Sequence, residues 1–378
     1  MTLPITIDYT AAYEQGGGIG RYVRELVAAL ARIDGEAPYK LFVAGATRTN
    51  LPAPMGKNFT WQPTRLTPKW LARIWHRAQL PIPVEWWCGE SEIFHATDFV
   101  LPPTKSSTYT LLTVHDLSFV RVPEAASPRL KAYLDAVVPR SVQRANHVLA
   151  DSMATKEDLI ELYGTSPDKI TVLLSGIDTR FKPVHDEKVL STIRQKYNIP
   201  QRPYLFTIGT VQPRKNYSRL VLALKLLHER GYDIDLVIAG GKGWLDNPIY
   251  TTIRESGLEH HIHMVGFVDD EDLPALYSAA ELVAFPSLYE GFGFPVLEGM
   301  ACGTPVLTSN VSSLPEVAGD AAIMVAPYDV EAIADGLIKI LGDNKLRDEL
   351  IAKGFEQAKR FTWEKAATHL KSIYTTKP

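Results

Sequence analysis

Two glutamates bracket the run Glu290-Gly-Phe-Gly-Phe-Pro-Val-Leu-Glu298. The apolar stretch before it, Glu281-Leu-Val-Ala-Phe-Pro-Ser287, reads as a buried strand, and Val296–Cys302 after it reads as a short helix. Pro295 suits the start of that helix, where a missing N–H loses no intrahelical partner. Glu290 is therefore expected at the carboxyl end of a strand and Glu298 on the first turns of the following helix. Gly291, Phe292 and Gly293 leave backbone N–H groups at a helix N-terminus, which suits an anion such as a phosphate. The carboxylates repel such an anion and are matched instead to hydroxyls, which donate hydrogen bonds to them. Hydroxyls and phosphates on one ligand describe a sugar nucleotide. The competing reading is an ordinary strand–turn–helix with two solvated acids.

Further candidate residues follow other strand-like runs, where open parallel sheets bind their ligands. After Tyr204–Ile208 comes Gly209-Thr-Val-Gln-Pro-Arg214-Lys215-Asn216. Two cations just before a helix oppose its dipole and make sense if an anion sits between them; otherwise they are a solvated helix start. Gly16-Gly17-Gly18-Ile-Gly20-Arg21 contains Gly-x-Gly, but Arg21 stands where a dinucleotide fingerprint needs its last glycine. It reads either as a loop that lets backbone approach a ligand or as a flexible helix entry. His115 and His95 each end a strand pattern. Asp270, in Val265-Gly-Phe-Val-Asp-Asp270, could accept from the two adjacent donors of guanine, or Asp269 and Asp270 cap the next helix. Lys69, Trp70, Arg73 and Arg77 mix cations with indole. At helical spacing the three cations share one face, which fits an interfacial segment on anionic lipid, sugar stacking, or a helix with core tryptophans.

The Glu-x7-Glu spacing with Gly-Phe-Gly-Phe-Pro inside it resembles the signature of glycosyltransferase family 4, retaining enzymes of the GT-B fold. Ser313-Leu-Pro-Glu316-Val-Ala-Gly319 and Pro305-Val follow the same pattern. The character is similar to bacterial GDP-mannose-dependent mannosyltransferases of surface-polysaccharide assembly. The resemblance implies transfer of a hexose, mannose from GDP-mannose, to a hydroxyl of a glycan or lipid-linked acceptor. Retention in the family is described as attack from the face the leaving diphosphate departs, with that phosphate taking the acceptor's proton. By resemblance, Lys215 meets the donor's β-phosphate, Glu290 the sugar hydroxyls, Glu298 the ribose, and Gly17 and Gly18 face the phosphates. His115 hydrogen-bonds the donor sugar, and the turn holding Asp270 borders the base. Thr210 stands where many members carry Arg, leaving Arg214 to supply the second positive charge. The family implies no metal and no cofactor. A UDP-sugar donor, a sugar-nucleotide epimerase, a phosphorylase and a non-catalytic nucleotide-sugar-binding protein share this architecture; no motif for the phosphorylase's pyridoxal phosphate is found.

These residues need elements to hold them. Strand-like runs alternate with helix-like runs along the chain, at 5–8, 40–43, 93–95, 109–114, 147–150 and 170–174, then at 204–208, 234–239, 262–265, 282–285, 305–308 and 322–325. That alternation predicts an α/β fold of two Rossmann-like, doubly wound parallel sheets, facing across a cleft in the GT-B manner. The expected division is an acceptor-binding domain over 1–185, a nucleotide-sugar-binding domain over 186–360, and a final helix over 361–378 crossing back to the first.

Composition narrows the class. At 378 residues, 46% hydrophobic and 22% charged, the chain has globular proportions and room for two domains. A net charge of −3 gives no general case for nucleic acid. Two cysteines, Cys88 and Cys302, make neither a disulfide framework nor a metal cluster. Neither a signal peptide nor a membrane-spanning run is evident, so a cytoplasmic location is expected, with peripheral contact at the inner face of the plasma membrane open.

Overall fold

The computed structural model describes residues 4–378. The chain divides into two compact units: Met1–Leu117, Ala132–Gly176 and Phe361–Pro378 form the first, and Ser118–Lys131 with Ile177–Arg360 the second. The division falls at Gly176 and Ile177, ahead of the expected 185. The short segment Ser118–Lys131, expected within the first domain, belongs to the second unit. There Val122 and Ala125 pack with Leu288 and Tyr289, and the Trp244 indole N–H donates to the Ala125 carbonyl at 2.9 Å.

The first unit holds a seven-stranded sheet of β1 (Ile5–Asp8), β2 (Tyr39–Ala44), β3 (Phe59–Thr64), β4 (Ile93–Ala96), β5 (Tyr109–Val114), β6 (His147–Ala150) and β7 (Ile170–Val172), in the order 3-2-1-4-5-6-7. Every pairing is parallel. Strands covered on both faces carry continuous apolar runs, so Leu41–Val43 and Leu111–Leu112 are fully buried. The sequence reading omitted β3, which contains Pro63. The proline sits in an edge strand bonded only to β2, where a missing donor is tolerated.

Two helices of this unit pack on each other. Gly18–Ile33 buries Tyr22, Val23, Leu26, Val27 and Leu30, a helical stripe, and Trp363–Thr376 buries Trp363, Leu370, Ile373 and Tyr374. An Arg32–Glu364 ion pair of 2.8 Å joins them. A Cβ on Gly176 would come within 2.1 Å of the Trp363 amide, so only glycine lets the chain pass there.

The second unit holds a six-stranded parallel sheet of β8 (Tyr204–Ile208), β9 (Asp235–Ala239), β10 (Ile262–Gly266), β11 (Leu282–Phe285), β12 (Val306–Ser309) and β13 (Ile323–Val325), in the order 10-9-8-11-12-13. One core face joins Leu205, Leu236 and Leu282 of the sheet to Leu220, Leu224, Ile333 and Leu337 of the covering helices. Both sheets are doubly wound, as the alternation predicts. Their order reverses between β1 and β4 and between β8 and β11, the crevices where such sheets place ligands. Among the described residues no helix is long and apolar enough to cross a membrane.

Candidate active site

The loops after β8 and β11 flank the switch point of the second sheet. Lys215 and Arg214 lie on the first loop and Glu290 on the second. Lys215 Nζ is 2.7 Å from Glu290 Oε1, and Arg214 Nη1 is 2.6 Å from Oε2 and 2.7 Å from the Tyr289 carbonyl. All three side chains are nearly buried. Burial pushes the Glu290 carboxyl up, but Arg214 and Lys215 outweigh it and hold the group down at about 2. Asn216 secures the geometry: its amide donates to the carbonyls of Pro286 and Pro327 at 2.9 and 2.6 Å, and its backbone is left-handed, φ 61°. Gly209 has φ +151°, and a Cβ there would come within 2.8 Å of Lys215 Cε, so the glycine makes room for the lysine stem.

The turn Gly291-Phe292-Gly293 leads into the helix Phe294–Ala301, with Pro295 in its first turn. Among the described residues, the N–H groups of Gly291 and Gly293 find no hydrogen-bond acceptor. Ser312 accepts from the Glu290 amide at 3.0 Å, and Ser313 donates to the carbonyls of Glu290 and Phe292 at 2.9 and 2.6 Å. Ser312 carries φ 54°, a conformation that costs a non-glycine residue of order 1–3 kcal/mol and is kept only when its surroundings demand it. Glu298 lies buried on the helix, with Oε2 accepting from the Tyr277 hydroxyl at 2.6 Å.

In the first unit the carboxyl ends of β1, β4, β5 and β6 bring together Asp8, Asp98, His115 and Asp151. His115 Nδ1 is 2.7 Å from Asp151 Oδ2, and Nε2 is 2.8 Å from the Thr97 carbonyl. Tyr22 and Phe99 meet the ring edge-to-face at 5.1 and 5.4 Å. Burial opposes charge on the imidazole, but Asp151, with help from Asp98 and Thr97, wins and pushes it up to about 9. Both nitrogens therefore donate, and a sugar hydroxyl bound by Nε2 must take the place of the Thr97 carbonyl. Burial raises Asp98, and raises Asp8 to about 6. Phe99 has φ 54°, a second strained residue beside a candidate side chain.

Gly17 caps the helix Gly18–Ile33, and a Cβ on it would meet nothing within 4 Å. Its own packing does not demand glycine, whereas Gly20 would press a Cβ to 2.1 Å from the Gln15 carbonyl. His95 is a core residue: its ring nitrogens bond Tyr374 and Thr113 at 2.7 and 2.8 Å, and burial lowers it to about 3.

Asp270 is half-exposed and 3.9 Å from Arg180. The helix after it begins at Leu273 with Asp272 at the cap, so neither Asp269 nor Asp270 caps it. Lys69–Arg77 is not one α-helix. Pro68–Ala72 is α-helical and Arg73–Arg77 winds as a π-helix, with the Ala78 amide bonded to the Arg73 carbonyl at 2.8 Å. The spacing-four face expected for Lys69, Arg73 and Arg77 is broken by the wider turn. All three cations are exposed, as is Trp70, over which Arg73 lies at 4.8 Å. Trp75 is buried and donates to the Ile82 carbonyl at 2.8 Å. A cavity of about 530 Å³ opens beyond it, lined by Trp75, Arg140 and Arg144 and by Thr110 and Asn146 at the amino ends of β5 and β6. It lies away from His115.

Sequence reasoning missed Asp8, Asp98, Asp151, Tyr277 and Ser312. Only the position of each acid at or just past the end of a strand could have flagged the first three. It also saw no metal-type cluster, whereas the fold gathers His228, Asp233 and His261.

Two family models match the chain: Glycosyltransferase Family 4 over residues 16–181 and Glycosyl transferases group 1 over 191–357. The O-antigen chain mannosyltransferase B of Escherichia coli is 36% identical over 283 residues, 75% of this chain and 74% of that protein. Among solved structures, sucrose-phosphate synthase of Thermosynechococcus elongatus superposes with a TM-score of 0.76 at 22% identity, covering 99% of this chain and 98% of that one. Anabaena Alr3699/HepE in complex with UDP and glucose gives 0.75 at 16% identity, covering 99% and 100%. The fold is that of GT-B glycosyltransferases.

Proposed function

The chain belongs to glycosyltransferase family 4, and we propose that it transfers mannose from GDP-mannose, with retention, to a hydroxyl of a glycan or lipid-linked glycan in bacterial surface-polysaccharide assembly. The observation that carries this reading is the buried Arg214–Glu290–Lys215 cluster at the switch point of the second sheet. Two cations against one carboxylate leave a net positive charge in a desolvated place, where it acts strongly on a diphosphate.

The reaction breaks the bond between the anomeric carbon and the phosphate oxygen, and negative charge collects on the departing GDP. Lys215 and Arg214, with the N–H groups of Gly291 and Gly293, stabilise that charge as it grows. Glu290 accepts from sugar hydroxyls and Glu298 from the ribose, while Gly17 and Gly18 give the phosphates close approach to backbone. The acceptor oxygen adds on the same face, and its proton passes to the leaving phosphate. His115, held as a cation by Asp151, donates to the transferring sugar. The chain's own cations supply the charge compensation for this step, so we propose that turnover needs no added metal.

Likeness to a mannosyltransferase named for the O-antigen chain supports mannose and the polysaccharide role, and Asp270 supports guanine. A UDP-sugar donor is the second reading, favoured by the UDP in the Anabaena structure and by the engagement of Asp270 with Arg180. Thermal melting of the full chain with a panel of nucleotide sugars separates them. A ligand at 100 times its dissociation constant adds roughly 2.7 kcal/mol. GDP-mannose should raise the melting temperature most, and Asp270→Asn should reduce its advantage over UDP-sugars. An unchanged ratio would remove Asp270 from base choice. We place the enzyme in the cytoplasm, with contact to anionic membrane through the exposed Lys69, Trp70, Arg73 and Arg77.

A further inference from the structure

At the amino edge of the second sheet, opposite the edge that bears Lys215 and Glu290, His228 lies near the end of the helix Tyr217–Glu229, Asp233 two residues before β9, and His261 just before β10. One ring nitrogen from each histidine and one carboxylate oxygen of Asp233 lie within 4.8 Å of one another.

Each imidazole has one nitrogen already fixed by the fold. His228 Nε2 is 2.8 Å from the Ile234 carbonyl, so that nitrogen carries the proton and donates. His261 Nδ1 is 2.9 Å from Asp235 Oδ1 and donates there. In each neutral ring the other nitrogen keeps its lone pair. Histidine ligands of metals are held this way, by a carbonyl or carboxylate on the far nitrogen, which sets the tautomer and the ring direction. Asp235 is fully engaged as an orienting group: Oδ1 also takes Arg202 Nε at 3.1 Å, and Oδ2 takes His263 Nε2 at 2.8 Å. Asp233 pairs with Arg202 through Oδ1, and its Oδ2 has no hydrogen bond or ion pair among the described residues.

We propose that His228 Nδ1, His261 Nε2 and Asp233 Oδ2 bind one divalent transition ion of the Zn²⁺ class, with water as fourth ligand. Two imidazoles and a carboxylate match a borderline ion, whereas Mg²⁺ and Ca²⁺ take oxygen. Bonds of about 2.1 Å place tetrahedral ligands about 3.4 Å apart, so the cluster must draw in. Asp233, exposed in the turn before β9, supplies that movement. The ion joins the end of a helix, the entry to β9 and the entry to β10, which is an edge strand bonded only to β9. It staples that edge and is remote from the donor loops, so it is structural.

Titrating the full chain with Co²⁺ and Zn²⁺ tests this. One equivalent of Co²⁺ should give the strong visible band of a low-coordinate nitrogen–oxygen site, and Zn²⁺ should abolish it while raising the melting temperature. His228→Gln and His261→Gln should each weaken binding at least tenfold, whereas His260→Gln, next to the site, should not. Should a variant fail to fold, imidazole nitrogen spectra of the unaltered protein decide: one equivalent of Zn²⁺ should move only the His228 and His261 resonances. The absence of a one-equivalent site, binding unaltered in both variants, or shifts confined to other histidines would overturn the proposal.

Discussion

Lys215 Nζ lies 2.7 Å from Glu290 Oε1, although one follows β8 and the other β11. The contact spans the reversal in strand order, so a carboxylate proposed for sugar hydroxyls and a cation proposed for phosphate are electrostatically one unit. Glu290→Gln removes the charge that offsets Lys215 and Arg214. Breaking a buried pair from one side costs of order 3 kcal/mol, and the melting temperature should fall accordingly. Affinity for free GDP should hold or rise, because the phosphate site becomes more positive, while turnover drops. Calorimetric titration with GDP beside a turnover assay checks this. Parallel loss of both would mean that Glu290 binds nucleotide.

Two groups set opposite limits on stability with pH. Glu290 is depressed from 4.5 to about 2, so its contribution is complete above about 4.5 and disappears as pH falls through 2. His115 is raised from 6.5 to about 9, so its contribution is complete below 6.5 and disappears as pH rises through 9. Each amounts to roughly 3 kcal/mol at most. Unfolding by urea across pH should show both flanks, and His115→Gln should flatten the alkaline flank only. An alkaline slope that survives that substitution would place the titration elsewhere.

The Tyr277–Glu298 contact predicts a graded pair of effects on nucleotide binding. Glu298→Ala should weaken free GDP by about 1.5–3 kcal/mol, the worth of hydrogen bonds to a charged group. Tyr277→Phe removes only the hydroxyl that orients Glu298, and should cost about 1 kcal/mol. If Glu298→Ala binds GDP as the parent does, the ribose assignment fails.

The strands of both sheets were legible because burial on two faces leaves continuous apolar runs such as Leu282–Phe285. Pro63 hid β3, since a proline argues against a strand unless the strand is known to be an edge. The π-helical turn at Arg73–Arg77 had no local signal, and it undid the shared face expected of the three cations. Gly291, Gly293 and Glu290 were readable from one short segment. The salt bridges from Arg214 and Lys215, the His115–Asp151 pair and the His228–Asp233–His261 cluster were not. Each joins residues of separate elements or loops, and each is completed only once parallel strands set those elements side by side.

Exposed Lys69, Trp70, Arg73 and Arg77 give a test of membrane contact that is independent of catalysis. Each cation near an anionic surface contributes about 1 kcal/mol, fading within a Debye length. Co-sedimentation with anionic vesicles should be strong at low salt, weak at high salt, and lost when Lys69, Arg73 and Arg77 become Gln. Protein that ignores the vesicles at low salt would leave Trp70 for sugar stacking or for no ligand.

Transfer of mannose from GDP-mannose with retention leaves its record at one atom, the anomeric carbon. Its most direct test offers the full chain GDP-mannose labelled at the anomeric carbon, with a mannose-terminated oligosaccharide, and follows that carbon by NMR. A new mannoside with the α configuration of the donor is expected, formed faster than any product from UDP-sugars. A β-linked product, preference for a UDP-sugar, or an altered nucleotide sugar released without acceptor would contradict it.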